Sequence, residues 1–127
     1  MCLYITSEKL KRLKNKVVDG KITCYKVVEN DSGVLCTPYQ MTVVKPGWFK
    51  AKGEVNKRAY YETFIIEGGA IHVYTSLKQA QHKAFSRSRK FIKVQCLAKD
   101  LVAEGKYSEA CFTKIFVSKA EYDKAFK

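Results

Sequence analysis

Turn signals cut this chain into runs too short for anything but strands and brief helices. Asp19-Gly20, Asn30-Asp31-Ser32-Gly33, Lys45-Pro46-Gly47 and Glu67-Gly68-Gly69 each group residues that accept or impose a backbone reversal. Between them lie runs rich in β-branched and aromatic residues: 22–28 (ITCYKVV), 34–36, 60–66 (YYETFII), 70–75, 91–97 and 111–117. Residues 2–5 (CLYI) and 39–44 are weaker strand candidates, the second an edge strand because Pro38 precedes it.

Side-chain alternation assigns faces within these runs. Ile22, Cys24, Lys26 and Val28 share one face, with Thr23, Tyr25 and Val27 on the other. Ile71 and Val73 oppose Ala70, His72 and Tyr74. Ile92, Val94 and Cys96 face a core, and Lys93 and Gln95 face away. Ser76 with Gln79 three residues on is a capping-box pattern, so a helix is expected over 77–86, burying Leu77, Ala80 and Ala84 and exposing His82. Ser118 with Glu121 repeats the pattern before a last helix to about residue 126. Thr6 or Ser7 caps a brief helix over 8–14, while 53–59 reads as a loop or short helix and 98–110 as a loop that can hold a helical turn. The expected architecture is α+β: one domain over 1–127, with a curved, mainly antiparallel sheet of about six strands and two or three short helices.

Charge narrows the partners. Lys and Arg number 24 against 12 Asp and Glu, a formal net charge of +12, while 46% hydrophobic residues indicate a folded chain. Such a field favours an anionic small-molecule nucleotide or nucleic acid; the structural alternative is a solvated lysine surface. Five cysteines without a C-x-x-C pair point to free thiols in a reducing, cytoplasmic setting. No signal-peptide core and no apolar run of membrane-spanning length occurs, so no membrane partner is expected. Walker A, G-x-G-x-x-G, H-E-x-x-H and G-x-S-x-G are absent, and neither a catalytic residue set nor a cofactor or metal is indicated.

Positive charge concentrates over 68–93, where seven Lys and Arg fall between Glu67 and Asp100 without an intervening acid. Arg87 and Arg89, two apart in a loop, suit bidentate contact with phosphate, with Lys90 and Lys93 beside them. His72 and Tyr74, on one strand face, suit hydrogen bonding and stacking on a base; packing beneath a helix is their structural alternative. Tyr25 lies on the first long strand. Trp48, the chain's one tryptophan, sits among Lys45, Lys50 and Lys52, a base-stacking arrangement if exposed. Lys9 to Lys16 form a second basic cluster.

The segments MCLY, ITCYKVV, TPYQ and GGAIHVYTSLKQA, followed by Lys93-Val94-Gln95-Cys96, together resemble a group of small uncharacterised proteins from bacteriophages and gut bacteria. The resemblance spans about three quarters of the chain and is a fold signature without an activity. It implies a phage or prophage accessory protein acting in the bacterial host cytoplasm. More distantly, IHVYTSLKQA followed by a strand is similar to a strand–helix step of ADP-ribosyltransferase-like folds, which implies a nucleotide-sized cleft near His72, Tyr74 and Tyr25. Glu62 and Glu109 do not form that family's catalytic pattern. The combined expectation is a non-catalytic phage-type counter-defence protein that sequesters a phosphorylated nucleotide, as a possible homo-oligomer. A nucleic-acid-binding protein and an ADP-ribosyltransferase-like enzyme are the alternatives.

Overall fold

The computed structural model describes residues 3–7, 10–37, 43–60, 63–84, 89–106 and 108–126. In chain order the strands are β1 (Leu3–Ser7), β2 (Lys21–Asp31), β3 (Val34–Cys36), β4 (Gly47–Lys50), β5 (Asn56–Tyr60), β6 (Thr63–Gly68), β7 (Ile71–Tyr74), β8 (Arg89–Leu97), β9 (Leu101–Gly105), β10 (Glu109–Phe112) and β11 (Lys114–Val117). Two α-helices, α1 (Leu77–Lys83) and α2 (Lys119–Lys124), and two 3₁₀ segments, Arg12–Lys16 and Ala98–Asp100, complete the described elements. No helix among the described residues is long and apolar enough to cross a membrane.

All these strands form one sheet in the order β4-β11-β8-β2-β7-β10-β9-β1-β6-β5, with β3 paired off this path to β2. Neighbouring strands pair antiparallel throughout. Chain length forces this sheet to roll. Laid flat, ten strands at about 4.8 Å would separate β4 from β5 by about 43 Å. The link 51–55 joins these two edge strands and reaches only about 20 Å when extended. Gly69, at φ +74°, helps to seat that link: a Cβ there would lie 2.1 Å from the Glu54 carbonyl carbon and oxygen.

The concave face carries the main core. Ile22, Cys24 and Val28 of β2 meet Ile92 and Val94 of β8, Val73 of β7 and Phe112 of β10. A smaller cluster joins Ile66, Ala103 and Cys111, and a third packs Val27 and Tyr74 beneath Ala80 of α1. Cys24, Cys36, Cys96 and Cys111 are buried free thiols. Burial pushes the Cys111 thiol up to about 12, so it behaves as a core residue rather than a nucleophile.

Both serine caps form: Ser76 Oγ accepts from Gln79 N at 3.4 Å, and Ser118 Oγ from Glu121 N at 3.2 Å. The α2 cap has a tertiary consequence. β11 pairs with β8 at Phe116↔Gln95, and farther along β8 the Lys93 N–H donates instead to Glu121 Oε1 at 2.9 Å. A carboxylate thus takes the place of a strand partner.

The strand count of about six is corrected to eleven among the described residues. The segment 53–59, expected as a loop or short helix, holds most of β5, whose sequence NKRAY is charged as edge strands often are. The segment 98–110 has its helical turn, the 3₁₀ segment Ala98–Asp100, but the loop expected around it holds β9 and the first residues of β10. The single expected strand 111–117 is two strands broken at Thr113. The helix expected over 8–14 is the 3₁₀ segment Arg12–Lys16, and α1 ends at Lys83 with Leu77 exposed rather than buried. The candidate edge strand over 39–44 lies mostly outside the described residues; Val43 bridges to Cys36.

Candidate anion-binding cleft

The convex face of β2 and β8 opens into a cleft of about 870 Å³. Its floor is Thr23, Tyr25 and Gln95, with Thr23 Oγ1 accepting from Gln95 Nε2 at 3.1 Å. One wall comes from the segment 16–21. There Val18 and Lys21 exchange backbone hydrogen bonds of 2.9 and 3.0 Å around Asp19 (φ 52°) and Gly20 (φ 74°). Two left-handed residues in succession make the tight reversal that Asp-Gly favours. The other wall is Thr75, Ser76, Leu77 and Lys78, where β7 passes into α1.

Three lysines, Lys16, Lys21 and Lys78, and one acidic residue, Asp19, line the cleft. Lys16 Nζ donates to the Thr75 carbonyl at 2.8 Å, which ties the two walls together and fixes one of its three donors. Thr75 is itself held, its N–H and hydroxyl donating to the Ser108 carbonyl at 2.8 and 3.1 Å. The segment bearing Lys16 hangs from an interior carboxylate. Glu104, 1% exposed, accepts the backbone N–H groups of Lys11 and Arg12, the latter at 2.8 and 3.0 Å. It serves as the N-terminal cap of the 3₁₀ segment, whose own cap residue Lys11 makes no side-chain hydrogen bond.

The residues singled out in the sequence fall in different places. Tyr25 lines the cleft, and Lys93, exposed, stands directly opposite it on β8. Trp48 is 49% exposed on β4, on the same face as the cleft floor. His72 and Tyr74 are buried, at 9% and 4% exposure, so neither ring presents an open face for stacking. They touch edge-to-face at 4.9 Å. His72 Nε2 stands 3.6 Å from Glu109 Oε2, beyond hydrogen-bond reach. Burial pushes the imidazole pKa down against the pull of that carboxylate, so His72 is neutral at pH 7. Arg89 Nε pairs with Glu29 Oε1 at 3.3 Å, across the β2–β8 ladder. Lys90 stands opposite Val28, on the other face of the sheet. Arg87 and Glu62 lie outside the described residues.

Sequence reasoning did not single out Lys21, Lys78, Ser76 or Gln95 as site residues. For Lys21 a signal existed, since strand alternation places it with Thr23 and Tyr25. For Lys78 and Ser76 none did, because only the return of α1 toward β2 brings them there. Comparison with protein-family models, curated proteins and solved structures found no match.

Proposed function

We propose that this is a non-catalytic binding protein whose cleft takes a phosphorylated nucleotide. The convergence of Lys16, Lys21 and Lys78 on one cleft carries the reading. The volume falls in the range of small-ligand sites. Val18, Leu77 and the Tyr25 ring offer apolar surface for a base or sugar, and the lysines with the Thr23 and Ser76 hydroxyls offer donors for phosphate. The lining lysines and hydroxyls are hydrogen-bond donors that suit holding an anion. In the setting that the sequence resemblance implies, the role is a phage-type accessory protein that sequesters a nucleotide signal.

Calorimetric and thermal-shift titrations with nucleoside mono-, di- and triphosphates and cyclic nucleotides test it. A cleft ligand at 100 times its Kd raises stability by about 2.7 kcal/mol. The Lys21→Ala/Lys78→Ala double variant, at two exposed lining lysines, is expected to keep the parent Tm without ligand and to lose at least about tenfold in affinity, as expected when charge-assisted contacts go. An unmoved Tm across the panel, or a double variant that binds as well as its parent, overturns the reading.

A further inference from the structure

The cleft floor does not stop at β8. Thr23 pairs with Gln95, Gln95 with Phe116 and Phe116 with Trp48, so one row of side chains crosses β2, β8, β11 and β4. Three strand spacings put its ends about 14 Å apart. The far end is aromatic and open: the Trp48 and Phe116 rings meet at 5.4 Å, tilted by 60°. Two residues along the strands, on the same face, stand Lys50 and its partner Lys114, and Lys21 at the cleft. This lysine row runs about 7 Å from the first, and Lys114 Nζ leans back over the Trp48 ring at 4.9 Å. Neither row includes a carboxylate.

A row that runs from the polar cleft floor to two aromatic rings lies beside a row with three lysines, separated by roughly the span between a base and its phosphate, which suits an extended polynucleotide. A mononucleotide in the cleft leaves Trp48, Lys50 and Lys114 unused. A duplex keeps its bases stacked inside and presents none to an indole. We infer that the convex face binds single-stranded nucleic acid, with one nucleotide in the cleft and a base further along the strand stacked on Trp48. This deepens the cleft assignment and rests on it. The length of the track suits a strand of about four nucleotides, at the lower end of what one open sheet surface holds.

Trp48 is the chain's one tryptophan, so its fluorescence reads the far end of the track directly. The probes are a ten-nucleotide oligothymidylate, the corresponding duplex with oligoadenylate, and thymidine monophosphate. The oligothymidylate is expected to quench Trp48 and to bind at least tenfold more tightly than the monophosphate, the duplex to quench little. Trp48→Ala is expected to lose roughly five- to 150-fold for the oligonucleotide, the equivalent of one stacked base, with no change for the monophosphate. Trp48→Phe, which keeps a π face on an edge strand, is expected to retain most of that affinity. Monophosphate binding without an oligonucleotide advantage or quenching overturns the track and leaves the cleft standing. If neither probe binds, the track fails, and the cleft reading stands or falls on the nucleotide panel above. Tight duplex binding with an unquenched tryptophan also overturns it, in favour of a purely electrostatic surface.

Discussion

Lys21 and Lys26 stand five residues apart on β2, and an odd spacing in a strand means opposite faces. Lys21 is exposed at the mouth of the cleft. Lys26 is 7% exposed on the concave face, between Cys24 and Val28 and opposite Ile92. Burial pushes its pKa down from 10.5 to about 8, and no ion pair to it occurs among the described residues. The same side chain is therefore a ligand-facing cation on one side of the strand and a desolvated one on the other. The convex face can change its charges freely because water solvates them; the concave face cannot, because each of its polar groups has to be satisfied by the protein.

The largest effect is expected where the interior supports the cleft, at Glu104. Glu104→Ala removes the acceptor for the Lys11 and Arg12 N–H groups and leaves both donors partly buried. A loss of about 3 to 5 kcal/mol is expected, from two charge-assisted hydrogen bonds and the space left behind. Denaturant unfolding measures it. Glu104→Gln, which keeps an acceptor oxygen, is expected to lose about half as much. If the alanine variant unfolds at the parent's denaturant concentration, the tie between interior and cleft is not a structural support.

Lys26 comes next, and its effect runs the other way. Moving an ammonium from pKa 10.5 to about 8 corresponds to about 3 kcal/mol of cost to the folded state at neutral pH. Lys26→Met keeps the chain's length and removes the charge, so a gain of about 1 to 3 kcal/mol is expected. The pH dependence carries the same sign. Between pH 8 and 10.5 the unfolded chain holds the Lys26 proton and the folded chain does not, so stability should rise with pH across that window. Below pH 8 both states hold it and the full cost is present. Chemical denaturation from pH 7 to 10 should show that rise in the parent and a flatter profile in Lys26→Met. Parallel profiles would falsify the burial cost assigned to this amine.

What the sequence made legible follows the same division of faces. Alternation over 22–28 put Cys24 and Val28 together and Tyr25 opposite them, and the Ser76 and Ser118 signatures located both helix starts. It missed strands whose composition hides them: β5 reads NKRAY because an exposed edge gains from charge, and β9 ends in Glu104-Gly105, a turn-like pair that in fact lies in the interior. Alternation placed His72 and Tyr74 on one face but could not say what covers it. α1 closes over Tyr74, and β10 brings Glu109 alongside His72. Arg89 was legible as a cation and not as the partner of Glu29, because that pairing depends on the β2–β8 register. The cleft was the least legible feature, since the 3₁₀ segment, β2, β8 and the start of α1 meet only after the sheet has rolled.

The smallest expected change in stability is at Lys21, and it sharpens the comparison most. Its ammonium is exposed at the cleft, opposite Leu97, and no ion pair to it occurs among the described residues. Lys21→Gln should therefore unfold within about 0.5 kcal/mol of the parent, as exposed substitutions generally do. Binding should respond much more. Removing one of the three lining lysines lowers phosphate affinity and also lessens its salt dependence, by about 0.7 of a unit of log–log slope for a single strand that contacts Lys21 through one phosphate. Titrations of Lys21→Gln and the parent with oligothymidylate from 50 to 200 mM salt give both quantities. Equal slopes mean that Lys21 is a solvated cation like any other. A change in stability above about 1 kcal/mol means that the convex face of β2 supports the fold, and the division between its two lysines is lost.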